Sequence, residues 1–175
     1  MSDLLVNLEG LVETAPDSSR ALETKHLFPL VSLAALKFSS ENIEVAKTIT
    51  TEGLTKQGRI DFIQDVANQT GKEIFEFSTC NRVLYVGFDI HAEALASNLT
   101  DIHGLAKNPF ETHEGLDVWR QLVKVCSGLD SFIVGELQVM SQFRKAVNLH
   151  KDNGLINQYN AAFFEHVISA NRGVR

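Results

Sequence analysis

Cysteine, proline and tryptophan are scarce in this chain, with two, three and one among 175 residues. The two cysteines, Cys80 and Cys126, close at most one disulfide and cannot furnish a four-cysteine zinc site. That excludes a disulfide-stapled secreted framework and a zinc module, and no metal site is expected. No basic segment leads into an apolar run at the N-terminus, and no run approaches the roughly 18 apolar residues of a membrane-spanning helix. Cations are also in deficit: 16 Lys and Arg face 22 Asp and Glu, a net charge of -6. Sequence-independent binding of nucleic acid needs clustered Lys and Arg, so a general binder of that kind is not indicated. A reducing, cytoplasmic setting away from membranes is the expectation.

What the chain does have is ordinary globular composition, 44% hydrophobic and 22% charged, enough for one sizeable domain or two lobes sharing a core. Its acid is concentrated early. Residues 1–106 carry 8 basic and 15 acidic side chains, whereas 107–175 carry 8 and 7. The second part is therefore the better candidate to approach a polyanion.

Residues 1–28 read as an N-terminal extension with a turn at "TAPDSSR". "LVSLAAL" (30–36) fits a buried strand, and "SSENIEVAKTI" offers Ser39 or Ser40 as an N-cap. In "RIDFIQDVANQTG" (59–71), Ile60, Ile63, Val66 and Ala67 fall at helical spacing and Gly71 is a stop signal. Period two then takes over. Phe75, Phe77 and Thr79 alternate with Ile74, Glu76 and Ser78, and Leu84, Val86, Phe88 and Ile90 alternate with Val83, Tyr85, Gly87 and Asp89. Two strands meeting at Cys80, Asn81 and Arg82 make a hairpin. A helix at 91–99 and an edge strand at "PFETH" (109–113) complete a βαββαβ order, an α+β ferredoxin-like sandwich over 29–113.

From 114 to 175 the pattern is helical, and a small bundle is expected. Trp119, Leu122, Val123 and Cys126 share one stripe, and Leu137, Met140, Phe143 and Val147 a second. Ile156, Tyr159, Phe163, Val167, Ala170 and Val174 form a third that is still in phase at the last residue, so the helical lobe is expected to lead into a further C-terminal part.

Cys126, on its apolar stripe, reads as a core residue. Cys80 sits among Thr79, Asn81 and Arg82, a polar neighbourhood past the strand end, and a nearby guanidinium favours a thiolate. Nucleophile and tolerated turn residue both remain open on that ground. A second polar cluster, "SGLDSFIVGELQ" (127–138), reads as a capped connection between helices through Asp130 or Ser131, or as a functional loop.

The stretches "FSTCNRVLYV" (77–86) and "VCSGLDSFIVGELQVMSQFRKAV" (125–147) together resemble signatures of glutamyl-tRNA reductase. The resemblance spans about 30–175 and is to that family's N-terminal catalytic domain. It implies that Cys80 attacks the aminoacyl ester of glutamyl-tRNA and holds glutamate as a thioester. NADPH, bound by a domain this chain does not contain, then reduces the thioester to glutamate-1-semialdehyde, the first step of the five-carbon tetrapyrrole route. Arg82 matches a residue that grips the substrate carboxylate, and Thr79, Ser131, Glu136 and Gln138 match substrate-binding positions. The downstream aminomutase is an implied partner, and a homodimer is expected of the full-length protein only. The chain departs from the pattern at Gln121, where the family has a histidine, and at Leu84, where it has an acid. Two alternatives are a non-catalytic relative binding tRNA or protein through the same fold, and a thiol hydrolase with a histidine folded against Cys80.

Overall fold

The computed structural model describes residues 30–129 and 137–174. Segment 1–28, Asp130, Ser131 and Glu136 lie outside them. Four strands, β1 (Val31–Lys37), β2 (Ile74–Thr79), β3 (Arg82–Phe88) and β4 (Glu111–Glu114), form one antiparallel sheet in the order β2-β3-β1-β4. The short β4 is an edge strand, as Pro109 before it suggests. Helices α1 (Ile43–Ile49), α2 (Lys56–Thr70) and α3 (Ala92–Ile102) fall within the first part of the chain. They are followed by α4 (Leu116–Cys126), α5 (Leu137–Asp152) and α6 (Gln158–Val174).

Both faces of the sheet are covered, which explains why β2 and β3 are buried along their whole length rather than on alternate residues. The period of two survives as a choice between two cores. Val31, Leu33, Phe75, Phe77, Leu84, Val86 and Phe88 pack against α4, α5 and α6. Ala34, Leu36, Ile74, Val83 and Tyr85 pack with Ile49, Val66, Leu95 and Leu99 of α1, α2 and α3. Ile90 departs from the expected alternation and joins the second core. The chain turns at Asp89, whose φ of 60° takes it out of the strand, and Asp89 N–H donates to Leu30 O at 2.7 Å.

Local chemistry sets the helix ends. Thr55 Oγ1 accepts the Gly58 N–H at 3.0 Å at the start of α2, and Gly71, at φ 67°, ends it in the left-handed region. Neither Ser39 nor Ser40 caps α1; the N-cap position is Asn42. Asn42 turns its side chain back to the end of β1, donating to Lys37 O at 2.9 Å and accepting the Ser39 N–H at 2.8 Å. The serines are held in that turn, and the helix begins after it.

Two expected stripes are rotated. On α4 the buried residues are Val118, Leu122, Val125 and Cys126, with Trp119 and Val123 at the margin. On α6 they are Ala161, Phe164, Val167, Ile168 and Asn171, while Tyr159 is 90% exposed, Phe163 is partly buried and Ala170 is half-buried. Glu73, just before β2, fixes that phase by accepting from Asn157 N at 2.7 Å and Asn160 Nδ2 at 2.8 Å. The rotation seats Phe164 against Phe75, ring centroids 4.1 Å apart.

Candidate active site

A two-residue turn, Cys80 and Asn81, joins β2 to β3, and Thr79 opposite Arg82 closes it. Asn81 N–H donates to Thr79 Oγ1 at 3.2 Å, and Asn81 O accepts the Phe38 N–H at 2.8 Å, which ties the tip to the chain leaving β1. Cys80 is exposed there, whereas Thr79 and Arg82 are buried. Strand alternation puts Thr79 in line with Phe75 and Phe77, and Arg82 in line with Leu84 and Val86, so both belong to the face covered by α4, α5 and α6. Burial pushes the Cys126 thiol up to about 12, against a smaller downward pull from Arg82. Arg82 therefore lies within electrostatic reach of the C-terminal end of α4. Cys126 is fully buried, as expected of a core cysteine.

The direction of α5 follows from its ring contacts. His150, late in the helix, meets Phe75 and Glu76, while Phe143, two turns earlier, meets Phe77. The helix thus runs against β2, and Gln138, exposed in its first turn, lies toward the Cys80 end of the strand. Thr79, Cys80 and Arg82 are brought together by the hairpin, and Gln138 approaches from the helical layer. Gln121 is half-buried and bonded to Asp117 on its own helix. That carboxyl lies below its usual range, chiefly through its 2.5 Å bond to His113. Leu84 is a core residue.

Four imidazoles are engaged away from the thiol. His91 bonds Glu114, His103 bonds Tyr85, His113 bonds Glu111 and Asp117, and His150 bonds Ala146 and Glu76. A cysteine and histidine pairing at the tip is therefore not made by any of these four.

A buried polar network four residues before Cys80 was not expected. Glu76 is 1% exposed. Its Oε1 accepts from Ser78 Oγ in a short bond and from Thr51 Oγ1 at 2.8 Å, and its Oε2 lies 3.5 Å from Arg59 Nε. Arg59 also donates to Thr51 Oγ1 from Nε at 3.2 Å and Nη2 at 3.1 Å. Burial raises the Glu76 carboxyl above its usual range, and Arg59, Ser78 and Thr51 oppose that rise. The sequence signal was an acid between two phenylalanines of a strand covered on both faces, since a buried carboxylate demands partners.

With this geometry in place, similarity to known proteins is decisive. The family model described as Glutamyl-tRNAGlu reductase, N-terminal domain, matches residues 35–175. The chain belongs to that family. "Glutamyl-tRNA reductase" of Pseudomonas putida (strain W619) is 32% identical over 128 residues, covering 69% of this chain and 30% of the relative. The protein of the same name from Alkalilimnicola ehrlichii is 35% identical over 115 residues, covering 62% of this chain and 26% of the relative. Among solved structures, glutamyl-tRNA reductase from Methanopyrus kandleri superposes with a TM-score of 0.64 at 21% identity, covering 82% of this chain and 33% of that one, which supports the shared fold. The chain thus spans under a third of the length of these glutamyl-tRNA reductases. No helix among the described residues is long and apolar enough to cross a membrane.

Proposed function

We propose that this chain is the thiol-bearing catalytic part of a glutamyl-tRNA reductase. The observation that carries the reading is the hairpin tip: an exposed cysteine between a buried threonine and a buried arginine, in a chain that matches the family over residues 35–175. Cys80 Sγ, as the thiolate, attacks the carbonyl carbon of the glutamyl ester. A C–S bond forms, the C–O bond to the ribose breaks, and the ribose oxygen takes up the proton the thiol gave. Arg82, with five fixed donors, grips the glutamate side-chain carboxylate in a bidentate way, and Thr79, Ser131, Glu136 and Gln138 complete the contacts.

The family's reductant is NADPH, which supplies the hydride that converts thioester to aldehyde. No glycine-rich strand-to-helix turn of the kind that cradles a dinucleotide occurs in the sequence, so no NADPH site is assigned to these residues and the chemistry assigned to them stops at the thioester. The proposal extends to a ferredoxin-like lobe at 29–113 and a helical lobe at 114–175, a cytoplasmic setting, and a full-length homodimer that delivers its product to the aminomutase.

Release of tRNA from glutamyl-tRNA tests the reading. Cys80→Ala is expected to abolish it, and Arg82→Ala to lower it by about two orders of magnitude, the worth of a desolvated charge contact. Undiminished release by Cys80→Ala would refute the nucleophile. A second reading, a non-catalytic relative that binds tRNA or protein, is favoured by Gln121, which stands where the family pattern has an imidazole.

A further inference from the structure

β2 is an edge strand, and its free edge carries a second polar feature close to the tip. Glu76 N–H points away from β3, because it donates to His150 Nε2 at 3.0 Å. Along an antiparallel edge strand residues alternate between pairing inward and pointing outward with both backbone groups, so the Ser78 N–H and C=O also point outward. The edge at that point opens on a cavity of about 270 Å³ between the 51–54 loop and α5.

The cavity is lined on one side by Leu54, Phe77, Ala146 and Leu149 and on the other by polar groups, among which the Ser78 and Thr51 hydroxyls already donate to Glu76. Ser78 and Thr51 are buried, at 8% and 3% exposure. Arg59 reaches Thr51 and Glu76 through Nε and Nη2, and among the described residues Nη1 makes no further bond. Lys145 and Gln142 face the same space from α5, and neither has an ion pair or hydrogen bond among the described residues. Glu52 is the acid on the rim. Lys145, the Gln142 amide, the Ser78 N–H and the part of the Arg59 guanidinium not facing Glu76 border one small space, and such donors suit a phosphate group.

We propose that this cavity holds a backbone phosphate near the 3′ end of the tRNA whose glutamyl ester reaches Cys80. The inference rests on the reading of Cys80 given above. Ser78 and Cys80 are two residues apart, about 7 Å along an extended chain. A ribose esterified at its 3′ end and bonded through its own 5′-phosphate spans a gap of that order. The thiol and the cavity then engage successive groups of one terminal nucleotide. The cavity adds Lys145 to a tip whose own cation, Arg82, is assigned to the glutamate carboxylate.

The test uses the 175-residue chain and an uncharged RNA minihelix ending in the single-stranded 3′ terminus of a tRNA. Amide resonances of Ser78 and Gly53 are expected to shift on titration. Lys145→Glu, an exposed substitution that leaves the core intact, is expected to weaken binding about tenfold and to lower the salt slope by about 1. Unmoved Ser78 and Gly53 resonances at saturation, wild-type affinity in Lys145→Glu, or shifts with inorganic phosphate but none with the RNA would each overturn the proposal. Because the RNA carries no glutamate, the result is independent of Cys80 chemistry. Binding with these shifts but no thioester on Cys80 would remove the enzymatic reading alone; a thioester without the shifts would remove the cavity alone.

Discussion

The imidazole of His150, on α5, accepts the backbone N–H of Glu76, on the free edge of β2, at 3.0 Å. The other ring nitrogen meets Ala146 O at 2.7 Å. This pair of bonds requires the proton on Nδ1 and a neutral ring. One side chain thereby covers an exposed rung of an edge strand and fastens the helical layer to the strand that leads to Cys80.

Burial brings the His150 ring down to about 4, a fall that the bond to Ala146 O opposes and nearby Arg59 assists. In the unfolded chain it titrates near the ordinary value of about 6.5. The folded form therefore favours the neutral ring: its stabilising contribution is complete above that value and is lost as pH falls toward 4, by on the order of 3 kcal/mol. His150→Gln keeps an acceptor for Glu76 N–H and does not titrate. Urea denaturation from pH 7 to 4 should show a flatter acid limb for this variant than for wild type; identical limbs would contradict the assignment.

Arg59 is expected to matter most at high pH. It is the cation opposite the buried Glu76 carboxylate, whose titration is already displaced upward by burial. Arg59→Met removes the interaction that favours the charged form, so the folded carboxyl rises further. The destabilisation should be about 3 kcal/mol at pH 8 and smaller at pH 5, where the acid is closer to neutral. Denaturation midpoints at the two pH values check the sign.

Phe143 joins the two layers at the level of the hairpin. Its ring packs edge-on to Phe77 at 5.4 Å and to Phe75 at 5.6 Å, and lies 6.0 Å from Phe164. Phe143→Ala should cost about 3–5 kcal/mol in a denaturant titration, the usual range for an emptied aromatic site. A loss below about 1 kcal/mol would mean that the sheet and the helical layer are not coupled through this ring.

Elements with a local cause were readable in the sequence. Gly71 stopped a helix because an αL residue suits glycine, and the β2 and β3 alternation predicted which residues share a face. The tip also followed from local pattern, since Thr79, Cys80 and Arg82 sit at a strand junction whose turn is two residues long. What depended on partners distant in sequence was not readable. The phase of α6 is set by Glu73, more than eighty residues away, which is why Tyr159 was placed inside and Phe164 overlooked. The Asn42 turn displaced the serine caps for a similar reason: the side chain answered to Lys37 O in the preceding strand. Glu76 and His150 carry no periodic signal, and their partnership exists only once α5 lies against β2.

The glutamyl group is expected on Cys80 Sγ. Incubation with glutamyl-tRNA, acid quench and peptide mass spectrometry measures it most directly. A glutamyl adduct is expected on the peptide containing Cys80 and none on that containing Cys126, with loss of the adduct under hydroxylamine, as a thioester requires. A chain that binds glutamyl-tRNA yet carries no adduct on Cys80 would contradict it.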